Sequence, residues 1–225
     1  MVVIPYKFKT KDELRKWLWK YLSDYHLTMI PRPCFARVPS FKAVDVAVAR
    51  LTDLPAWKAA EAVLVSPDDV TLDVRIAAIR EGKRLYVPVP GEKRVHRLEG
   101  VPADKAEVAA NLKEISRFSD VLPLAAAQDA ALVVMGALSV DRMGRWLGQG
   151  EVFSELPPAL TRADGSFGKT LRVALVDDMQ IFEDFGYLMD EGDARVDLVV
   201  TKTQVLEPQP PQAPGAAKAA AATTP

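Results

Sequence analysis

Apolar residues recur at helical spacing near the start of the chain, at Leu14, Trp17, Leu18, Tyr21, Leu22 and Tyr25. This predicts an amphipathic helix with one buried face, and Thr10 and Glu13 stand at the spacing of a capping box that opens it. Val44, Ala47 and Val48 repeat the helical period within 43–51, and further helices are predicted over 70–80 and over the charged segment 103–117. Between them lie short apolar runs of strand length at 62–65, 84–87, 131–140, 171–176 and 198–201. Strands alternating with helices predict an α/β fold, with a mostly parallel central sheet and helices on both faces, in three layers. No internal repeat interrupts the pattern.

Composition bounds this picture. A chain of 225 residues with 49% hydrophobic content buries a full core, and a single α/β domain over 1–206 accounts for it. From 207 to 225 the sequence turns to Pro, Ala, Gln and Thr, which cannot bury a core and predicts a disordered tail. No run is long and apolar enough to span a bilayer, and Met1 to Pro5 is too short for a signal peptide, so the expected location is cytoplasmic. Lys and Arg total 29 against 30 acidic residues, and this balance gives no bulk attraction for nucleic acid or anionic membrane. Cys34 is the single cysteine; it rules out an internal disulfide and is expected to be a small buried residue. His26 falls near a helix end and His96 in a charged loop, without a base or metal partner nearby in sequence.

The most informative stretch follows the run 131–140: Asp141, Arg142, Met143, Gly144, Arg145, Trp146, Leu147, Gly148, Gln149, Gly150 and Glu151. A strand emptying into a glycine-punctuated loop lets backbone N–H groups approach an anion. A tightly packed turn explains the same glycines equally well. Downstream, Asp177, Asp178 and Gln180 follow the 171–176 run, and Asp193 and Asp197 precede the next. Polar side chains thus cluster at strand ends, where open parallel sheets place ligands.

Taken in order, these residues resemble the 5-formyltetrahydrofolate cyclo-ligase family. Its loop, of the form G-x-R-L-G-x-G-x-G-Y-Y-D, is matched by Gly144, Leu147, Gly148, Gly150, Phe153 and Glu155, after Asp141. Its later glutamine and D-x-x-V-D are matched by Gln180, Asp193, Val196 and Asp197, with Thr201 closing the final strand. Lys11 and Arg15 fit the K-x-x-L-R of the family's first helix. Pro31-Arg32-Pro33 and the segment from Arg37 to Ala43 resemble a divergent subgroup, the synthetase domain-containing proteins. Asp68 and Thr71 stand where the family has E-x-x-T.

The resemblance implies a Rossmann-like fold, a monomer, and ATP- and Mg2+-dependent cyclisation of 5-formyltetrahydrofolate or a related reduced pterin to the 5,10-methenyl form. It assigns the nucleotide phosphates to Lys11, Arg15, Gly144, Gly148, Gln149 and Gly150, and Mg2+ to Asp197 and Glu155. Asp68, Thr71, Trp146, Phe153 and Gln180 would meet the folate. The expected loop arginine is replaced by Trp146, so Arg145, one position earlier, is the candidate catalytic cation. Asp68 is also a candidate helix N-cap, and Trp146 a core residue. Val152 replaces the third loop glycine and Gln149 an expected basic residue. These losses leave an alternative open: a catalytically degenerate nucleotide-, pterin- or RNA-binding protein on the same fold.

Overall fold

The computed structural model describes residues 7–29, 34–149, 170–190 and 193–208. In chain order, helix α1 (Lys11–Asp24) precedes α2 (Val44–Asp53) and α3 (Pro55–Ala59). Strand β1 (Ala62–Val65), α4 (Leu72–Arg80), β2 (Arg84–Pro88), β3 (Arg94–Leu98), α5 (Ala106–Ala110) and β4 (Asp120–Pro123) follow. The remainder supplies β5 (Leu132–Gly136), β6 (Ser139–Asp141), β7 (Trp146–Leu147), β8 (Leu171–Leu175), β9 (Ile181–Phe182), β10 (Leu198–Val200) and β11 (Val205–Leu206).

Eight strands form one sheet in the order β11-β10-β8-β5-β1-β2-β3-β4. Its centre, from β10 to β2, is parallel, and the flanking strands β11, β3 and β4 pair antiparallel. The central strands are apolar on both faces because both are covered. Along β1, Val63 and Val65 join the core beneath α2, α3 and α4, while Ala62 and Leu64 join the opposite core. That second face meets the small sheet β7-β6-β9, through Val140 and Ile181. On the far side of the small sheet, Leu147 and Phe182 pack with Leu14, Leu18, Trp19 and Leu22 of α1. The predicted mostly parallel sheet is therefore present, with α2–α5 on one face and the small sheet between it and α1 on the other.

Several local expectations change. The run 131–140 divides after Gly136, because β6 leaves the central sheet for the small one. The charged segment 103–117 is not one helix: α5 spans only five residues between two 3-10 turns. Thr10 Oγ1 accepts the Glu13 amide as expected of an N-cap, but the Glu13 carboxylate takes the amide of Lys9 instead of Thr10. On α1, Trp19 is buried while Tyr25 is 66% exposed, so the helix turns slightly away from the predicted face. His96 lies on β3, with Nδ1 2.8 Å from Ser119 Oγ, not in a loop. Cys34 is buried against α1. Among the described residues, no helix is long and apolar enough to cross a membrane.

Candidate functional site

The parallel strands β1 and β5 end side by side, with the Ser66 amide donating to the Val134 carbonyl and prolonging their pairing. A 3-10 turn (Asp69–Thr71) then leads into α4. Asp68 holds the N-cap position of that turn but its side chain makes no capping bond. Its carboxyl turns inward, where Ser66 Oγ donates to Oδ2 at 2.6 Å. Burial pushes Asp68 up to about 6, against the lowering pull of the Ser66 hydrogen bond and of the Arg75 guanidinium.

Gly136 makes room for this carboxyl. A Cβ there would lie 3.1 Å from Asp68 Oδ2, 2.5 Å from Val70 Cγ1 and 2.7 Å from Val38 Cγ1. The glycine loop closes the same corner: Trp146 Nε1 donates to the Gly136 carbonyl at 3.0 Å, and Gln149 Oε1 accepts the Val38 amide at 3.0 Å. Gly148 packs under the Trp146 ring, which lies 2.3 Å from the position of an added Cβ. Arg15 reaches over from α1, its Nε donating to the Gly148 carbonyl at 3.0 Å, while its Nη1 pairs with Asp12. Asp68, Trp146, Gly148, Gln149 and Arg15 thus meet at one end of the parallel sheet.

Arg75 and Ser66 complete the corner without having been singled out from sequence. Arg75 is 2% exposed. Its Nη1 donates to the carbonyls of Ser66 and Asp68 and to Thr71 Oγ1, at 2.8, 3.0 and 3.0 Å, and its Nε to the Ala110 carbonyl. A sequence signal existed: Arg75 stands four residues after Thr71 on a helix face otherwise made of Val74, Ala78 and Ile79.

Other predicted residues fall elsewhere. Thr71 is fully buried and donates to the carbonyls of Ser66 and Asp68, so it shapes the turn instead of facing a ligand. The Gly144 turn is occupied by the protein itself. Asp141 Oδ1 accepts the amides of Met143 and Arg145, and the Asp141 carbonyl accepts that of Gly144. Gly144 has φ +76°, and a Cβ there would lie 2.5 Å from the Val196 carbonyl. This glycine serves a tight approach, and these amides form no open phosphate nest. Arg145, expected as the catalytic cation, pairs through Nη1 with Asp141 at 2.9 Å and Asp184 at 2.7 Å. It belongs to this turn and not to the Asp68 corner.

Asp197 is bound by Arg172, which donates its amide, Nε and Nη2, each at 2.8 Å. The pair lies where β8 and β10 begin, away from the strand ends that carry Asp68. Gln180 is also internal: its Oε1 accepts the Asp177 amide and its Nε2 donates to the carbonyls of Ala137 and Leu138. Lys11 pairs with Asp190 at 3.0 Å and with Asp193. Burial pulls this ammonium down, but the two carboxylates outweigh it and hold it above the usual lysine value. Gly150, Val152, Phe153 and Glu155 lie outside the described residues.

A cavity of about 710 Å³ opens beside the Asp141 turn, lined by Arg145, Ile181, Asp184, Val199 and Leu206 among others. Both of its arginines pair with acids of the same lining, Arg145 with Asp184 and Arg142 with Glu183. The Asp68 corner is not part of this cavity; it holds a buried acid, and chemistry needs the reactive group more than the volume. Among the described residues, no three acidic, His or Cys side chains converge as a metal site.

Comparison with known proteins gives the family of the chain. The 5-formyltetrahydrofolate cyclo-ligase family matches over residues 8–202. A methenyltetrahydrofolate synthase domain-containing protein of Danio rerio is 29% identical over 205 residues, covering 88% of this chain and 54% of that protein. Its Homo sapiens counterpart is 28% identical over 203 residues, with 88% and 53% covered. The chain therefore spans about half the length of the curated relatives it matches. The solution structure of Aquifex aeolicus 5,10-methenyltetrahydrofolate synthetase shares the fold, with TM-score 0.54 and 18% identity over 90% of this chain and 95% of that one.

Proposed function

This chain belongs to the 5-formyltetrahydrofolate cyclo-ligase family, and from that premise we propose that it closes the ring of 5-formyltetrahydrofolate, or of a related reduced pterin, using ATP. The formyl oxygen attacks the γ-phosphorus and ADP leaves. The N10 nitrogen then attacks the activated formyl carbon, its N–H proton is lost and phosphate departs, giving the 5,10-methenyl product. Such phosphoryl transfer depends on positioning and charge neutralisation more than on a covalent nucleophile.

The observation that carries this reading is the Asp68 carboxyl, buried beside Gly136, whose carbonyl holds Trp146 of the glycine loop. Above pH 6 it is mainly ionised and accepts hydrogen bonds from the N–H groups of a reduced pterin. Trp146 and Gln149 frame the same space, and Arg15, beside Gly148, is the cation best placed to meet the nucleotide. For Mg2+ the described residues do not fit: Asp197 is closed by Arg172, and no acidic cluster supplements it.

A second reading, a binding protein on the same fold, is favoured by one specific pattern. Lys11 and Arg145, both expected to face phosphate or substrate, are paired with carboxylates of the chain itself. Mixing the protein with 5-formyltetrahydrofolate and Mg-ATP and following the methenyl absorbance decides between them. The enzyme reading predicts ATP-dependent product, reduced roughly 100-fold or more in Asp68→Asn. Binding of either ligand without product supports the second reading.

A further inference from the structure

The buried Arg75 is not explained by the chemistry above, because all of its hydrogen bonds are made to the turn that carries Asp68 and to one carbonyl of α5. A guanidinium 2% exposed is costly to bury, and a hydrophobic residue on this helix face would fill the same volume at lower cost. Burial draws Arg75 down to about 10, with Asp68, Asp69 and Asp73 opposing that pull, so it is charged throughout the physiological range.

Three of its bonds converge on residues 66–71, and the fourth ties them to the end of α5, at Ala110. The guanidinium therefore fixes the backbone on both sides of the acid while placing a positive charge beside it. Building on the proposed role of Asp68, we infer that Arg75 is the positioning residue of this site: it clamps the 66–71 turn so that the Asp68 carboxyl stays over Gly136, and it is the acid's counter-charge.

The groups that face Asp68 can be named element by element. From the turn come Ser66 and Asp69, and Asp69 in turn has Arg37 at 3.9 Å. From α4 comes Arg75, which itself has Asp73 nearby. From β5 comes Gly136, with no titratable side chain, and from the glycine loop Trp146 and Gln149, which are uncharged. Of the two cations in this set, Arg37 lies by Asp69 while Arg75 acts on Asp68 itself, so removal of Arg75 acts on Asp68 first.

The test follows Asp68 directly by carbon NMR of Asp-labelled full-length protein, assigned with Asp68→Asn, and in parallel measures 5-formyltetrahydrofolate affinity. In Arg75→Met the loss of the cation is expected to raise the proton affinity of Asp68 about tenfold or more. Arg75→Lys, which keeps the charge but not the planar fork, is expected to leave the titration near that of the unaltered chain and to weaken folate binding about fivefold or more. A titration unchanged in a folded Arg75→Met protein overturns the inference. If Arg75→Met does not fold, Arg75→Lys decides, and wild-type affinity in that variant overturns it. If the unaltered chain binds no 5-formyltetrahydrofolate, the functional reading fails separately, while a moved Asp68 titration in Arg75→Met still supports the clamp.

Discussion

Two buried carboxylates, Asp68 and Asp141, stand close to the same glycine loop and are treated in opposite ways. Asp141 accepts the amides of Met143, Arg145 and Phe185 and the Arg145 guanidinium. Its donors close a hairpin turn, and its charge is consumed by structure. Asp68 takes a hydroxyl from Ser66 and has the Gly136 backbone amide beside it, while its neighbouring guanidinium bonds to carbonyls instead of to the acid. Where a buried acid is fully supplied with donors it is a scaffold; where it is left short, burial raises its proton affinity and it has capacity for a ligand.

Removing each acid should separate these roles. Asp141→Ala leaves Arg145 and three amides without their acceptor, and we expect a loss of about 3–5 kcal/mol in urea unfolding. If the loss is within about 1 kcal/mol, Asp141 is not the scaffold described.

Asp68 should show a pH signature instead. Its folded-state value of about 6 lies above the ordinary aspartate value, so between these two the folded chain binds the extra proton. Stability then falls as pH rises through that window, by about 2–3 kcal/mol, and the penalty is complete above the folded value. Asp68→Asn should abolish this fall, which unfolding curves at pH 4 and pH 7.5 would reveal. Equal pH dependence in both proteins would contradict it.

The glycine that accommodates Asp68 gives a smaller effect. Gly136→Ala brings a methyl within 2.7 Å of two valine Cγ1 atoms, and β-branched neighbours yield little. The expected cost is about 1–3 kcal/mol with weakened folate binding. A variant of unchanged stability and affinity would show the corner to be roomier than drawn. Smallest is Lys11→Met, which breaks a partly exposed ion pair with Asp190 and Asp193. Its stability change should stay under about 1 kcal/mol.

These contrasts also show what the sequence displays and what it hides. The central strands were legible because burial on both faces leaves unbroken apolar runs, and 62–65 is recovered residue for residue as β1. Strands β7, β9 and β11 have two residues each, too short for any period to register. The site was half legible. Motif spacing led to Asp68, Trp146, Gly148, Gln149 and Arg15, which do converge. It could not show that the Gly144 amides would be taken by Asp141, or Asp197 by Arg172, since both depend on partners supplied by the folded chain. Gly136 lies inside the predicted run 131–140, and glycine within a strand often marks close approach by another group.

The most direct test of the account is a crystal structure of the protein with 5-formyltetrahydrofolate. It predicts density for the pterin at this end of the parallel sheet, against the Asp68 turn and the 146–149 segment. Density instead in the cavity between Arg145, Asp184 and Leu206 would contradict it, and would make the Asp141 turn, not the Asp68 corner, the functional end of this molecule.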